Sequence, residues 1–356
     1  MSHFPALLDA GTSARIDIVY LWVNGNDPQW RAKRHRAAME HDAVDHHAMA
    51  LYGNVEGRFR DNDELRYSLR ALERYFPDHG HVYVVTDGQT PAWLRACSGL
   101  TLVDHRDLIP AERLPTFDSA HIESYVHRIP GLSERFFYFN DDVFFGAPVQ
   151  LDQWFWPGGV YAIWSDDAQV EGTALRADDN ALENASRLSA RWLSRLAGYQ
   201  HTPRTFAHSP RPLLKSLLLA AEEDAPELFE RVRSTVFRNW ASPTLVSDFV
   251  LRRALAHGLV RLREGAHLHL TTGCDDQAQQ LDALLQAAGT LDFFCINDTT
   301  DDAHGHDPRL AKVRAALQSL FPLASRFEKE AASLLQPAAH PAHRHSGRSR
   351  TSHQLA

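Results

Sequence analysis

Strand-like apolar segments that end in short polar clusters constrain the fold of this chain more than any other feature. IDIVYLWV at 16–23 is followed by NGNDP, and HVYVVTDG at 81–88 and LTLVDHRD at 100–107 repeat the pattern. A fourth segment, RFFYFNDD at 135–142, ends in two adjacent acids. Helical or irregular stretches separate the strands, and such alternation indicates a mostly parallel sheet. The sequence therefore predicts an α/β protein.

The polar clusters are predicted to lie together. Parallel strands bring their carboxyl ends to one edge of a sheet, where open α/β proteins bind ligands. Four clusters at that edge predict a shared cleft lined with carboxylates and amides. The alternative for the last cluster is a strand that stops in an Asx turn, in which the acids bond only their own backbone.

Composition limits the classes of function. The chain has 356 residues, of which 44% are hydrophobic, enough for one large domain or two interlocked ones. Its net charge of −8 comes from interspersed charges that form no basic face, so we expect no nucleic-acid partner. Cys97, Cys274 and Cys295 lack zinc-site spacing and are predicted to be free thiols. There is no secretory signal pattern and no window near the ~18 apolar residues of a membrane span, which predicts a cytoplasmic location.

The chain divides into three predicted parts. Residues 1–14 form an N-terminal extension, 15–335 a catalytic domain, and 336–356 a tail rich in Pro, His, Ser and Arg that is expected to be disordered. Within the domain, a helical subdomain is expected at about 165–260. Its charged segment 169–200 is a candidate insertion or lid, and the sequence does not indicate its function.

Two helix starts are predicted from capping patterns. Leu65, Leu69 and Leu72 have helical spacing, and Asp61 precedes Glu64 as in a capping box, which predicts a helix from near Asn62.

The second predicted start has Ser209 as N-cap and Pro210 as the first helical residue. This places His208 just outside a helix end, where anions are favoured.

Carboxylates after two of the strands suggest a metal. Mg²⁺ takes one or two carboxylates plus substrate phosphates, and Asp141, Asp142 and Asp298 are the candidates, with Mn²⁺ as the alternative ion. Adjacent side chains on a strand point to opposite faces, so one of Asp141 and Asp142 faces the cleft, and we favour Asp142. Neither Gly-rich phosphate-binding motif is present.

A resemblance covers much of the chain. IDIVYLWVNGNDP, RFRDNDELRYSLRALERYFP, VYVVTDGQTPAWL, the segment LPTFDSAHIESYVHRIPGLSERFFYFNDDVFFG, FAHSPRPLLKSLL and FFCINDT occur in this order. Together they are similar to the conserved regions of the Stealth family, over roughly 16–298. That family holds bacterial capsular and cell-wall polysaccharide phosphotransferases and the catalytic part of the eukaryotic N-acetylglucosamine-1-phosphotransferase.

The resemblance implies a fold, a reaction and partners. The fold would be like that of nucleotide-sugar transferases of the GT-A type. The reaction would move hexose-1-phosphate from a UDP-sugar to a sugar hydroxyl, releasing UMP, in the synthesis of capsule or other cell-surface polysaccharide. The donor would be a UDP-sugar, with UDP-N-acetylglucosamine as one candidate, and the acceptor a glycan. A lipid-linked acceptor would bring the protein to the inner face of the membrane.

The resemblance also implies site residues. The positions associated with catalysis are Glu123, Asp142, His208 and Arg238. Each has a structural alternative: a helical surface glutamate, a turn aspartate, a capping-region histidine and an ion-pair arginine. The positions associated with the nucleotide sugar are Trp22, Asn24, Gly25, Asp27, Arg60, Asp61, Asn62, Asp63 and Arg66. Asp61 is equally suited to capping a helix.

Two rival functions remain open. One is a metal-dependent glycosyltransferase that breaks the sugar–phosphate bond and releases UDP. The other is a carbohydrate-binding protein without catalysis, in which the acids only hold structure. At the last motif a threonine, Thr299, stands where relatives are expected to carry a further acid, which leaves Asp298 to contribute there.

Overall fold

The structure is a computed structural model that describes residues 15–45 and 49–330. The expected N-terminal extension at 1–14 and the expected disordered tail at 336–356 lie outside the described residues. The strands are β1 (Asp17–Leu21), β2 (Val82–Thr86), β3 (Leu100–Asp104), β4 (Arg135–Asn140), β5 (Val143–Phe145), β6 (Phe155–Trp156), β7 (Gly159–Ala162), β8 (Arg211–Leu214), β9 (Val260–Leu262), β10 (His267–Thr272) and β11 (Phe293–Asp298). The helices are α1 (Pro28–Asp45), α2 (Glu64–Tyr75), α3 (His105–Leu108), α4 (Ser119–Glu123), α5 (Ala181–Leu193), α6 (Lys215–Asp224), α7 (Pro226–Arg233), α8 (Val250–Ala256), α9 (Gln277–Gln286) and α10 (Pro308–Leu320).

The main sheet confirms the predicted α/β class. Its order is β3-β2-β1-β4-β8, and the first four strands are parallel. All of β1 and β2 is buried, as is the Phe136–Phe139 stretch of β4. Continuous hydrophobic runs of this kind are typical of strands that are covered on both faces. The four predicted polar clusters therefore follow strands whose carboxyl ends meet at one edge.

Two smaller sheets complete the described structure. β10, β11 and β5 form one, in which β5 runs antiparallel to β11, and β6, β7 and β9 form the other. Aromatic side chains pack between the elements: the Phe137 ring lies 5.3 Å from that of Phe145 and 5.2 Å from that of Phe155, edge to face. No helix in the described ranges is both long and apolar enough to cross a membrane.

The amphipathic helix α2 is confirmed and begins two residues after Asn62, near the predicted start, but the predicted capping box is wrong. It begins at Glu64, after Asp63 in a left-handed conformation with φ of 68°. Asp61 Oδ1 accepts a hydrogen bond from the Asp63 amide, and Glu64 Oε2 accepts one from the Asn62 amide. Each acid thus bonds a backbone amide two residues away, so the expected Asp61–Glu64 capping box does not form.

The predicted helix start at Ser209 and Pro210 is also wrong. The residues that follow form β8, which pairs antiparallel with β4, and α6 begins only at Lys215. β8 is an edge strand of the main sheet, a position where the missing N–H of Pro212 is tolerated. His208 therefore precedes a strand and has no helix end beside it.

The central region is only partly helical. In the candidate insertion 169–200 the helix α5 covers 181–193, and it is capped by Asn180, whose side chain accepts a hydrogen bond from the Glu183 amide. The region 165–260 holds α5 to α8, with a π-helical turn, Leu245–Phe249, leading into α8. It also holds β8, which belongs to the main sheet, so this region contributes a strand to that sheet.

Candidate active site

The end of β4 and the entry to β8 meet at the ligand-binding edge of the main sheet. Because β8 runs antiparallel to β4, the residues before β8 come close to those after β4. His208 Nε2 consequently lies 3.4 Å from Asp142 Oδ1. Both side chains are partly open to solvent, with 26% of His208 and 19% of Asp142 exposed. They can therefore reach a bound substrate.

Asp142 has a second neighbour that the sequence did not indicate. The Cys295 thiol on β11 lies 3.4 Å from Asp142 Oδ2. β11 is brought there by its pairing with β5, in which Cys295 faces Val143, the residue after Asp142. The thiol is buried, and Cys295 is free, as expected.

Asp142, His208 and Cys295 together could hold a cation. Their ligand atoms lie within 4.8 Å of one another. Burial acts to raise the pKa of the Asp142 carboxyl, but His208 and Cys295 outweigh burial and bring that pKa below its ordinary value. Asp142 is therefore held as a carboxylate, the form that binds metal.

The Asp141 carboxyl is buried near several other acidic side chains. Burial raises the pKa of the Asp141 carboxyl well above its ordinary value, and the charges of Asp142, Glu64 and Asp61 raise it further. Burial, and after it the charge of Asp61, raise the pKa of Glu64 to about 8. Burial, and after it the charge of Asp63, raise the pKa of Asp61 to about 6. These acids crowd together at one side of the cleft, where a cation would relieve their repulsion.

Asp298, the third expected metal ligand, is engaged elsewhere. Its carboxylate pairs with Arg60 and accepts hydrogen bonds from the Thr300 amide at 2.9 Å and the Thr300 hydroxyl at 2.7 Å. Among the described residues, the group of close ligand atoms around Asp142 does not include it. The structure thus places Asp298 in an ion pair that joins β11 to the segment before α2.

Glu123 and Arg238 form the second half of the site. Glu123, at the end of α4, is only 2% exposed, and the Tyr138 hydroxyl donates to its Oε1 at 2.8 Å. Burial raises the pKa of the Glu123 carboxyl, while Tyr138 and the charge of Arg238 lower it in part. Arg238 donates to Ser119 Oγ at 2.6 Å, and its Nε lies 3.6 Å from Asp118 Oδ1.

Arg58 is a site residue that the sequence reasoning missed. Its guanidinium donates to the same Ser119 Oγ, at 3.1 Å. Burial, and after it the charge of Arg238, lower the pKa of Arg58 to about 9, although the acids Asp118, Glu123 and Asp142 act in the opposite direction. Arg58 therefore connects the Asp142 half of the site with the Arg238 half. The stretch RFRDND offers Arg58 and Arg60 alike, and only the tertiary structure shows which one faces the cleft.

The first loop is built for close backbone approach. A Cβ atom on Gly25 would lie 2.2 Å from the Phe59 carbonyl oxygen, which accepts a hydrogen bond from the Gly25 amide. Asn24 exchanges backbone hydrogen bonds with the Gln89 side chain, and Asp27 Oδ1 accepts one from the Trp30 amide in the first turn of α1. These contacts fix the loop after β1 at the edge of the cleft.

The remaining expected nucleotide-sugar residues divide into two groups. The buried Trp22 indole lies beside Asp61 and offsets in part the effect of burial, which raises the pKa of that carboxyl. Because the charge of Asp61 raises the pKa of Asp141, both residues lie near Asp141. Asn62 is buried and donates to Glu64 Oε1 at 2.9 Å, and Asp63 supplies the left-handed turn before α2.

Two arginines of this set are committed to structural ion pairs. Arg60 bonds the Asp298 carboxylate and the Thr300 and Ala303 carbonyl oxygens. Arg66 pairs with Glu328, which is almost fully buried. Neither guanidinium is presented to the cleft in the way that Arg58 and Arg238 are.

The fold and the site together define an α/β protein with carboxylates, a histidine and arginines at the carboxyl ends of parallel strands. Comparisons with known proteins identify its family. Models of three Stealth protein regions match: conserved region 1 at 14–42, conserved region 2 at 58–163 and conserved region 4 at 282–337. The chain belongs to the Stealth family, as its sequence predicted.

Its relatives include proteins named exopolysaccharide phosphotransferases. One from Streptomyces coelicolor is 35% identical over 88% of this chain and 33% of its own length. CpsY of Mycobacterium tuberculosis is 33% identical over 90% of this chain and 59% of its length. A third, from Nocardia farcinica, is 32% identical over 90% of this chain and 62% of its length. The chain thus spans between 33% and 62% of the length of these relatives.

One solved structure aligns along the whole of its chain. The galactosyltransferase LgtC, in complex with donor and acceptor sugar analogues, covers 90% of this chain with 11% identity and a TM-score of 0.43. A likeness at this level is too weak to support an argument about the chemistry.

Proposed function

We propose that the protein is a polysaccharide phosphotransferase that moves hexose-1-phosphate from a UDP-sugar to a sugar hydroxyl and releases UMP. The observation that carries the proposal is the approach of His208 Nε2 to within 3.4 Å of Asp142 Oδ1, next to the carboxyl end of β4. Membership of the Stealth family and the phosphotransferase names of the relatives support the same reaction class.

The proposed reaction is an attack at phosphorus. A bond forms between the acceptor oxygen and the sugar-linked phosphorus, and the bond from that phosphorus to the bridging oxygen of UMP breaks. Arg238 binds the oxygens of the transferred phosphoryl group, where its planar fork can contact two oxygens at once. His208 takes the proton of the acceptor hydroxyl, and Asp142 stabilises the imidazolium that results. Ser119 and Asp118 orient Arg238, and the buried Glu123 adds negative charge to its surroundings.

The residues fit a divalent cation. Asp142 would hold it, with His208 and Cys295 near enough to contribute and Asp141 beside them. Such an ion would neutralise charge on the phosphoryl group. Carboxylate oxygens suit both Mg²⁺ and Mn²⁺, whereas a nitrogen and a sulfur ligand suit softer ions than Mg²⁺. We therefore favour Mn²⁺, and in this proposal Asp298 keeps its structural pairing with Arg60.

His208 cannot offer Nε2 to a metal and to an acceptor proton at the same time. The two roles are separated by measuring Mn²⁺ binding calorimetrically in His208→Ala. Affinity equal to that of the parent, together with a large loss of kcat, supports the proton role. A loss of Mn²⁺ affinity similar to that of Asp142→Asn would assign His208 as a ligand.

The donor, the acceptor and the location complete the proposal. The donor is a UDP-sugar, for which UDP-N-acetylglucosamine is the first compound to test, and the acceptor is a glycan of a capsule or other exopolysaccharide. The reaction would take place in the cytoplasm, at the inner membrane face where the acceptor is lipid-linked. The full-length relatives are longer than this chain, so the segments that they add do not enter this proposal.

The nucleotide product tests the reaction directly. The purified protein is incubated with a panel of UDP-sugars, an acceptor glycan and Mn²⁺, and the released nucleotide is identified by chromatography. UMP supports the proposal. UDP would instead identify the rival glycosyltransferase, in which the sugar–phosphate bond breaks. Absence of turnover with every donor, alongside measurable glycan binding, would favour the carbohydrate-binding protein.

Metal dependence is checked in the same assay. Excess chelator should abolish turnover and added Mn²⁺ should restore it, while Asp142→Asn should stay folded and nearly inactive. Asp152→Asn is a suitable control, because Asp152 is an exposed acid outside the cleft. Full activity in excess chelator would exclude the metal from the reaction.

A further inference from the structure

Two guanidinium groups share one serine oxygen in the cleft. Arg58 and Arg238 both donate to Ser119 Oγ, at 3.1 Å and 2.6 Å, so two positive charges are held within a few ångströms of each other. Like charges at this separation repel, and a protein holds them together only where other groups or a ligand supply negative charge. Asp118 supplies part of it, because its Oδ1 lies 3.6 Å from Arg238 Nε, but no salt bridge reaches Arg58 among the described residues.

The hydrogen-bonding capacity of Arg58 is almost unused. A guanidinium carries five N–H donors, and the bond to Ser119 is the one that Arg58 makes among the described residues. Its buried Nε has no hydrogen-bond partner there, whereas the Nε of Arg238 lies 3.6 Å from Asp118 Oδ1. Arg60, two residues along, bonds a carboxylate, a hydroxyl and two carbonyl oxygens. The contrast indicates that Arg58 is positioned for a group that comes from outside the chain.

The Ser119 hydroxyl has an unused hydrogen-bond donor. A hydroxyl oxygen accepts two hydrogen bonds and donates one, and the two arginines fill both acceptor positions. The hydroxyl proton is then available for donation to a group that the guanidiniums bind. Ser119 is the first residue of α4, so its position is fixed by that helix.

We propose that Arg58, Arg238 and the Ser119 hydroxyl form one anion site that binds the diphosphate bridge of the donor. The inference rests on the proposed function for the choice of anion and adds Arg58 and Ser119 to the residues that act on it. Arg58 and Arg238 each contact phosphate oxygens, and the Ser119 hydroxyl donates to one of them. Ser119 is also a positioning residue, since it fixes the spacing of the two arginines.

The site is tested by binding, without turnover. Inorganic pyrophosphate is titrated calorimetrically into the full chain in EDTA, so that no metal contributes. We expect the parent to bind it, and Arg58→Ala and Ser119→Ala to bind it about tenfold more weakly or worse, since each loses charge-assisted hydrogen bonds. Arg58→Lys should keep part of the affinity, because it keeps the charge without the fork.

Controls separate this outcome from misfolding. Arg113→Ala removes an arginine that pairs with Glu230 at the surface and should bind pyrophosphate like the parent. Thermal melts of all variants must match the parent for the comparison to count, and Ser119→Thr, which keeps a hydroxyl, should retain more affinity than Ser119→Ala. Parent-like pyrophosphate binding by folded Arg58→Ala, or no binding by the parent at millimolar concentration, would overturn the site. Pyrophosphate binding that depends on Arg58, without any UMP release in the donor assay, would support the anion site and contradict the proposed reaction.

Discussion

The Tyr138 hydroxyl lies 2.8 Å from Glu123 Oε1 and also 2.8 Å from Asn140 Oδ1. Both neighbours are acceptors as placed, yet a phenol has one proton to donate. Both contacts are satisfied when Tyr138 donates to Glu123 and the Asn140 amide turns its nitrogen toward the phenol oxygen. This arrangement agrees with the Tyr138 hydrogen bond lowering the pKa of the Glu123 carboxyl in part, against the effect of burial, which raises it. Tyr138 thus favours the ionised form of Glu123.

Tyr138→Phe should raise the pKa of Glu123. The Tyr138 hydrogen bond lowers that pKa, so its loss favours the protonated acid. We expect the acidic limb of the pH–rate profile for kcat/KM to move to higher pH, with Tyr52→Phe, at a half-exposed tyrosine, leaving it in place. An unmoved limb in Tyr138→Phe would show that Glu123 does not titrate in the reaction.

Arg238→Ala should lower kcat strongly, by a factor of up to about 10³–10⁵ if the guanidinium contacts the transferring phosphoryl group. Arg238→Lys should recover little, because the bidentate fork is lost. His208→Ala should lose kcat comparably with UDP-sugar affinity mostly kept, since its task lies in the chemical step. Steady-state kinetics and thermal melts check this. Variants that melt like the parent and keep more than about a tenth of its kcat, a loss under ~1.4 kcal/mol, would be structural residues.

Gly25→Ala should destabilise the protein and weaken donor binding together. The new Cβ would meet the Phe59 carbonyl oxygen at 2.2 Å, and a backbone atom cannot swing away as a side chain can. We expect a loss of about 1–3 kcal/mol in the free energy of unfolding, as for other overpacked sites. Denaturant unfolding measures it, with Gly305→Ala as the uncrowded control, because no atom lies within 4 Å of a Cβ there and Gly305 does not have a positive φ. Equal stability of both variants would mean that the loop shifts freely.

Glu64→Gln should flatten the pH dependence of stability. Burial raises the pKa of Glu64 to about 8 from an ordinary value of 4.5, so the folded state binds the proton more tightly than the unfolded one. The resulting stability is fully present below pH 4.5 and is lost as pH rises through about 8. In EDTA, the melting temperature of the parent should therefore fall more between pH 5 and 8 than that of Glu64→Gln. Glu112→Gln, at an exposed glutamate, should follow the parent. Parallel curves for parent and Glu64→Gln would contradict the shift.

The strands and the edge at which they place polar groups could be predicted because each buried parallel strand is a continuous hydrophobic run in the sequence. Local signals failed where tertiary pairing decided the outcome. Ser209 and Pro210 have the pattern of a helix start, yet pairing with β4 makes the next residues a strand. The sequence also does not indicate that Arg60, 238 positions away, pairs with the carboxylate of Asp298 at the end of β11.

The same reason explains the site residues that were missed. Cys295 reaches Asp142 only because β11 pairs with β5 across 153 positions of sequence. Arg58 and Ser119 meet across 61 positions, and nothing near either residue marks the contact. Motif resemblance supplied Glu123, Asp142, His208 and Arg238, whereas contacts between distant segments carry no local pattern.

The antiparallel docking of β8 has a consequence for how such a protein can diversify. Asp142 and His208 are neighbours in space but 66 positions apart in the chain, and the pairing of β8 with β4 alone sets their separation. The segment between them begins with β5, which holds β11 beside Asp142, and then runs through β6, β7 and α5 before it returns to β8. We expect the part around α5 to tolerate changes in length and surface, because the pairing of β8 with β4 holds His208 near Asp142 independently of α5.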